Sequence, residues 1–247
     1  MIYCGRGFLL LMLIVATLAG CEQSAPDNEP PELVVYSARK EHLIKPLFDQ
    51  FTSETAIPIR YVTDSAGPLL ARLQSEGENT PADLLITVDA GNLWHAARSG
   101  LLQPVQSGLL VQNIPAHLSD PGQQWYALTI RARTLVYSTE RIQEDELSSY
   151  EGLADPRWLG RLCLRTSKKV YNQSLVATLI AALGEEASEA VVSGWVANLA
   201  MPPFSNDTMV MEAIAAGQCD IGIVNTYYYG ALMEKKPELK LALLPRD

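Results

Sequence analysis

Glu32-Leu-Val-Val-Tyr-Ser37 is a short apolar run rich in β-branched and aromatic residues, the pattern of a buried strand. Leu43, Ile44, Leu47, Phe48 and Phe51 follow at helical spacing, with Pro46 expected near the start of that helix. The alternation continues outward from there. Residues 57–62 read as a strand, 69–76 as a helix entered through Gly67-Pro68, 83–87 as a strand, and 92–98 as a helix closing at Gly100. Such alternation predicts a mostly parallel sheet with helices on both faces. Residues 125–138 break the pattern with an extended stretch too long for one ordinary strand, the kind of segment that leaves one lobe and enters another. Strands at 160–164, 219–224 and 239–244 and helices at 173–183, 189–199 and 209–216 then resume it.

The opening residues read differently. Arg6 supplies a short positive region, Phe8 to Leu18 an apolar core too short to span a bilayer, and Leu18-Ala-Gly-Cys21 resembles a lipobox. Cys21 is therefore the expected lipidation site, and residues 22–31, rich in Pro, Ser, Asn and acids, the expected tether. The predicted organisation is a lipoprotein signal peptide at 1–20, a tether at 21–31, an N-terminal α/β lobe at 32–130, and a hinge crossing with a C-terminal α/β lobe at 131–247. Two α/β lobes behind an export signal describe a class II type periplasmic-binding-protein fold, whose ligands sit at the carboxyl ends of the strands.

Composition narrows the function classes. A net charge of −9, a pI of about 4.9 and the lack of any basic stretch argue against nucleic acid. No G-x-S-x-G, H-E-x-x-H or P-loop pattern supports an enzyme. Of the four cysteines, Cys4 lies in the signal and Cys21 carries the lipid. Cys163 and Cys219 remain, as a disulfide in an oxidising compartment or as two buried thiols.

Asn225-Thr-Tyr-Tyr-Tyr-Gly230 directly follows a predicted strand and opens a helix, with Asn225 or Thr226 as its cap. Three consecutive tyrosines cannot all enter a core, so at least one hydroxyl is expected to face the ligand. A phenolate at a helix N-terminus suits a hard cation, and an aromatic platform suits a sugar or amine; the residues alone leave both open. Tyr171 is expected in the loop after the strand at 160–164.

Val35-Tyr-Ser-Ala-Arg39, Pro81-Ala-Asp-Leu-Leu-Ile-Thr-Val-Asp-Ala-Gly91, Arg131-Ala-Arg133, Tyr171-Asn-Gln-Ser-Leu175 and Asn225-Thr-Tyr-Tyr228 occur in order. Together they resemble the ferric-iron-binding periplasmic solute-binding proteins of iron ABC importers, in the subgroup with a tyrosine-rich site. The resemblance implies Fe(III) as cargo and Tyr171, Tyr227 and Tyr228 as phenolate ligands, with Tyr229 a packing or rim residue. Where members of this family place His or His-Tyr after Ser-Ala-Arg, this chain has Lys40-Glu41-His42, so Glu41 and His42 are weaker metal candidates. Asp89 reads as a helix cap. Arg133, and less so Arg39, match an arginine that holds carbonate or another synergistic anion. The implied partners are an importer's permease and ATPase subunits. The protein is expected as a monomer in the periplasm or at the cell surface, held to the membrane by lipidated Cys21. The same comparison leads one to expect sequence beyond Asp247 and a C-lobe that is incomplete here. Two alternatives accompany this reading: a binding protein of the same fold for a small organic or oxyanion ligand, and a truncated remnant that transports nothing.

Overall fold

The computed structural model describes residues 31–245, so the signal, Cys4, Cys21 and nearly all of the tether lie outside the described residues. The chain forms two compact units, one running to Ile86 and the other starting at Thr87. This division falls well before the expected boundary at 130/131. The physical reason is long-range bonding: Arg131 donates to the Val88 carbonyl and to the Asp89 carboxylate, tying residues just past the third strand to the later chain.

The first unit has β1 (Leu33–Ser37), α1 (Glu41–Thr55), β2 (Ile59–Thr63), α2 (Ala66–Glu76) and β3 (Leu84–Ile86). Its sheet has the order β2-β1-β3, with β1 parallel to both neighbours, as the alternation predicts. Val35, Ile44 and Phe48 form its small core, with Tyr61 stacked at a tilt on Phe48. Pro46 lies a full turn inside α1 rather than at its start, because the helix begins at Glu41. It forgoes only one internal hydrogen bond there.

The second unit holds α3 (Ala90–Arg98), α4 (Gly108–Asn113), β4 (Arg133–Ser138), β5 (Leu162–Cys163), α5 (Val170–Leu183), α6 (Glu185–Ala197), α7 (Asp207–Ala215), β6 (Ile221–Asn225), α8 (Thr226–Lys235) and β7 (Leu241–Leu243). Its sheet has the order β5-β6-β4-β7 and is mixed: β5 is parallel to β6, and β4 is antiparallel to both β6 and β7. The expected extended stretch at 125–138 is regular only in its second half, as β4. One buried cluster, around Leu135, Trp158, Leu162, Trp195 and Ile223, packs β4, β5 and β6 against α5 and α6. A second, around Val136, Val210, Met211, Ile214 and Val224, packs β4 and β6 against α7. The approach is close enough that a Cβ on Gly222 would sit 2.7 Å from the Cys163 carbonyl and from Val210 Cγ1. Cys163 and Cys219 are joined as a disulfide, which selects one of the two alternatives left by the sequence.

Strand direction decides what gathers at one edge. With β5 and β6 parallel, their carboxyl ends emerge together, carrying the segments that lead to Tyr171 and to Tyr227. Antiparallel β4 brings its first residue there instead: Arg133 stands opposite Asn225, the last residue of β6.

Candidate metal centre

Tyr171 is the second residue of α5, in its first turn rather than in the loop the sequence suggests. The expected helix starts at Gln173; the actual one begins at Val170, since Val170-Tyr-Asn is compatible with a helical turn and Lys169 ends the preceding loop. Tyr227 and Tyr228 lie in the first turn of α8. The Tyr227 hydroxyl accepts from Asn225 Nδ2 at 3.3 Å, and the hydroxyls of Tyr228 and Tyr171 are near enough to push its pKa up. The rings of Tyr227 and Tyr228 are tilted against each other with centroids 4.3 Å apart. The first turns of two separate helices thus contribute to one phenol cluster, where the helix dipoles favour negative charge. Tyr227 remains 46% exposed, so the cluster opens outward. Burial of its hydroxyl, then the neighbouring hydroxyls of Tyr228 and Tyr171, holds Tyr227 above the usual phenol range, while Asn225 acts in the opposite direction. Tyr229 points elsewhere, donating to the Leu241 carbonyl at 3.0 Å as a packing residue.

Guanidinium groups surround Tyr171. Arg131 lies over its ring at 4.5 Å from the centroid, and Arg165 at 5.0 Å. Asp89 fixes Arg131 and also accepts from Ser174 Oγ at 2.8 Å, besides capping α3 through the Gly91 N–H. Beneath the cluster lies a buried polar network. Fully buried Asp207 accepts from the Asn225 backbone N–H at 2.8 Å, from Arg165 Nη1 at 3.2 Å and from Arg133 Nη1 at 3.4 Å. Arg133 Nη1 also donates to Asn225 Oδ1 at 2.9 Å, and its Nη2 to Asn172 Oδ1 at 2.9 Å and the Ile223 carbonyl at 3.1 Å. Burial pulls the Arg133 guanidinium below its usual range, Asp207 opposes that, and Arg165 adds to it. Two arginines and one aspartate leave this network with an excess positive charge under the phenols.

The arginine proposed as an anion holder, Arg133, therefore has both terminal nitrogens bonded to protein; its buried Nε has no partner among the described residues. Arg39, Glu41 and His42 lie in the first unit and are exposed. Tyr61 donates to the Glu41 carboxylate at 3.0 Å. Among the described residues no group of three or more His, Cys, Asp and Glu side chains is placed to hold a metal ion. Sequence reasoning singled out the three tyrosines. It missed Arg165, Asn172 and Asp207, whose partners lie far along the chain, and gave Arg131 no role.

In open α/β sheets ligands bind at the carboxyl ends of the strands, the edge where Tyr171 and Tyr227 lie. The chain belongs to the bacterial extracellular solute-binding protein family, which it matches over residues 79–245. It is 43% identical over 232 residues to Iron uptake protein A1 of Synechocystis sp., a match that covers 92% of this chain and 64% of that protein. Among solved structures it resembles the ferric binding protein of Campylobacter jejuni, with a TM-score of 0.81 and 34% identity over 86% of this chain and 70% of the other. It also resembles the Trichodesmium protein solved in complex with iron and citrate ligands, with a TM-score of 0.79 and 40% identity over 86% of this chain and 69% of that one. The chain thus spans less than two thirds of the length of Iron uptake protein A1.

Proposed function

We propose that this protein binds Fe(III) through the phenol oxygens of Tyr171, Tyr227 and Tyr228 and hands it to an ABC importer. The observation that carries this reading is that the first turns of α5 and α8 bring the hydroxyls of Tyr171 and Tyr228 close enough to perturb that of Tyr227. A trivalent hard cation favours charged oxygen donors and displaces the phenol protons as it binds. Arg131 and Arg165 beside Tyr171, and the excess positive charge of the buried network, offset the charge of a phenolate. The iron-associated names of its relatives support the same cargo.

A synergistic anion such as carbonate belongs with Arg131, which is partly exposed beside Tyr171, rather than with Arg133, whose side chain is buried. Glu41 and His42 are supplementary ligand candidates only, and Arg39 a minor anion candidate. The protein works outside the cytoplasm, as a monomer held to the membrane through lipidated Cys21, with permease and ATPase subunits as partners.

The test is a visible spectrum of the purified protein with and without ferric citrate. Iron–phenolate coordination gives a charge-transfer colour that excess citrate bleaches, and Tyr227→Phe and Tyr228→Phe each weaken it. A protein that stays colourless at saturating ferric citrate contradicts this reading and leaves the two alternatives, a receptor for an organic or oxyanion ligand and a remnant that transports nothing.

A further inference from the structure

Asn225 stands at the N-cap position of α8, yet its side chain makes no cap hydrogen bond to the helix. It is fully buried and bonded elsewhere. Its Oδ1 accepts from Arg133 Nη1 at 2.9 Å, its Nδ2 donates to the Tyr227 hydroxyl oxygen at 3.3 Å, and its backbone N–H donates to Asp207 at 2.8 Å. The direction of this chain is forced by chemistry. A guanidinium has only donors, so the amide must turn its oxygen to Arg133, which leaves its NH2 facing Tyr227. Arg133 cannot rotate away, because Asp207, Asn172 and the Ile223 carbonyl hold its other donors.

We propose that Asn225 is a positioning residue for Tyr227: Arg133 locks its amide so that Nδ2 always presents a donor to the phenol oxygen. This inference rests on the ferric-iron reading. Giving up the helix cap forgoes a favourable local bond, so the side chain is committed to the site instead. A donor aimed at that oxygen fixes the direction of its remaining lone pairs, as groups behind a ligand do at metal sites. Arg133 then acts from behind the site rather than on the bound anion.

Asn225→Asp tests the idea. The substitution keeps the size of the side chain and an acceptor for Arg133, but it turns a carboxylate oxygen instead of an N–H toward Tyr227. Ferric affinity in citrate competition is expected to fall about 10–100-fold, the charge-transfer band to move, and the apo-protein melt to stay close to that of the parent. If Asn225→Asp fails to fold, Asn225→Ser, which adds no charge and cannot reach Tyr227, is expected to show the same loss and band shift. Parental affinity, or a band that does not move, in whichever variant folds overturns the proposal. A parent protein that shows no band at all sinks the ferric-iron reading itself, an outcome separate from the failure of Asn225.

Discussion

At the scale of single residues, the three phenols were legible because two motifs, Tyr171-Asn-Gln-Ser-Leu175 and Asn225-Thr-Tyr-Tyr228, each hold a tyrosine where a strand gives way to a helix. The groups supporting them were not. An Asn between a strand and a helix reads as a cap, and nothing local shows that its amide is spent on Arg133, 92 residues earlier. Asp207 likewise passes for an acidic residue in a first helical turn, although it is fully buried against two arginines. Because burial and the neighbouring hydroxyls hold Tyr227 above the usual phenol range, iron held by the proposed phenols would have to displace their protons. Ferric binding is therefore expected to release about three protons per iron near neutral pH and to strengthen as pH rises. Proton release into weakly buffered solution measures this, and a release near zero contradicts phenolate ligation. In the metal-free protein the sign is reversed: the raised Tyr227 value contributes stability up to the ordinary phenol range, and that contribution is lost as pH climbs past it and the hydroxyl ionises.

At the scale of elements, helix and strand positions followed from periodicity almost throughout. α4 was missed because Gly108-Leu-Leu-Val-Gln-Asn113 is only six residues long and buries no side chain, so no repeat marks it. Parallel pairing was anticipated, but the antiparallel insertion of β4 between β6 and β7 was not, since strand order depends on contacts that no local pattern encodes. That insertion is what delivers Arg133 to the site. The Cys163–Cys219 bridge ties β5 to the start of β6, the two strands that lead to the tyrosines, and closes a span of 56 residues. Chain-entropy arguments put its contribution at about 4 kcal/mol. The double Cys→Ser variant is expected to melt well below the parent, and an unchanged melt contradicts this. Just before β6, Asp220 joins the elements through Arg141 at 2.5 Å and Arg161 at 2.6 Å. Burial raises its carboxyl, but hydrogen bonds from Arg161 and Arg141 outweigh that and hold it below the usual carboxylate range. Its stabilisation is thus present above that range and lost as pH falls through the lowered value. Asp220→Asn is expected to cost about 1–2 kcal/mol at neutral pH, because two partly exposed guanidiniums lose their charged acceptor. Denaturant unfolding should show that difference shrinking toward acid pH; a cost independent of pH contradicts it.

At the scale of the whole molecule, the α/β class and the acidic charge were readable from alternation and composition. The division at 86/87 was not, because it depends on Arg131 reaching back to Val88 and Asp89. No helix among the described residues is long and apolar enough to cross a membrane. What unites these levels is a sheet whose strand directions collect three phenols above a buried, positively charged network. The most direct test is an anomalous-difference map at the iron edge from crystals grown with ferric citrate. A single peak is predicted about 2 Å from the hydroxyl oxygens of Tyr171, Tyr227 and Tyr228, a distance typical of hard metal–oxygen bonds. A peak away from these oxygens, or none in coloured crystals, would contradict the account.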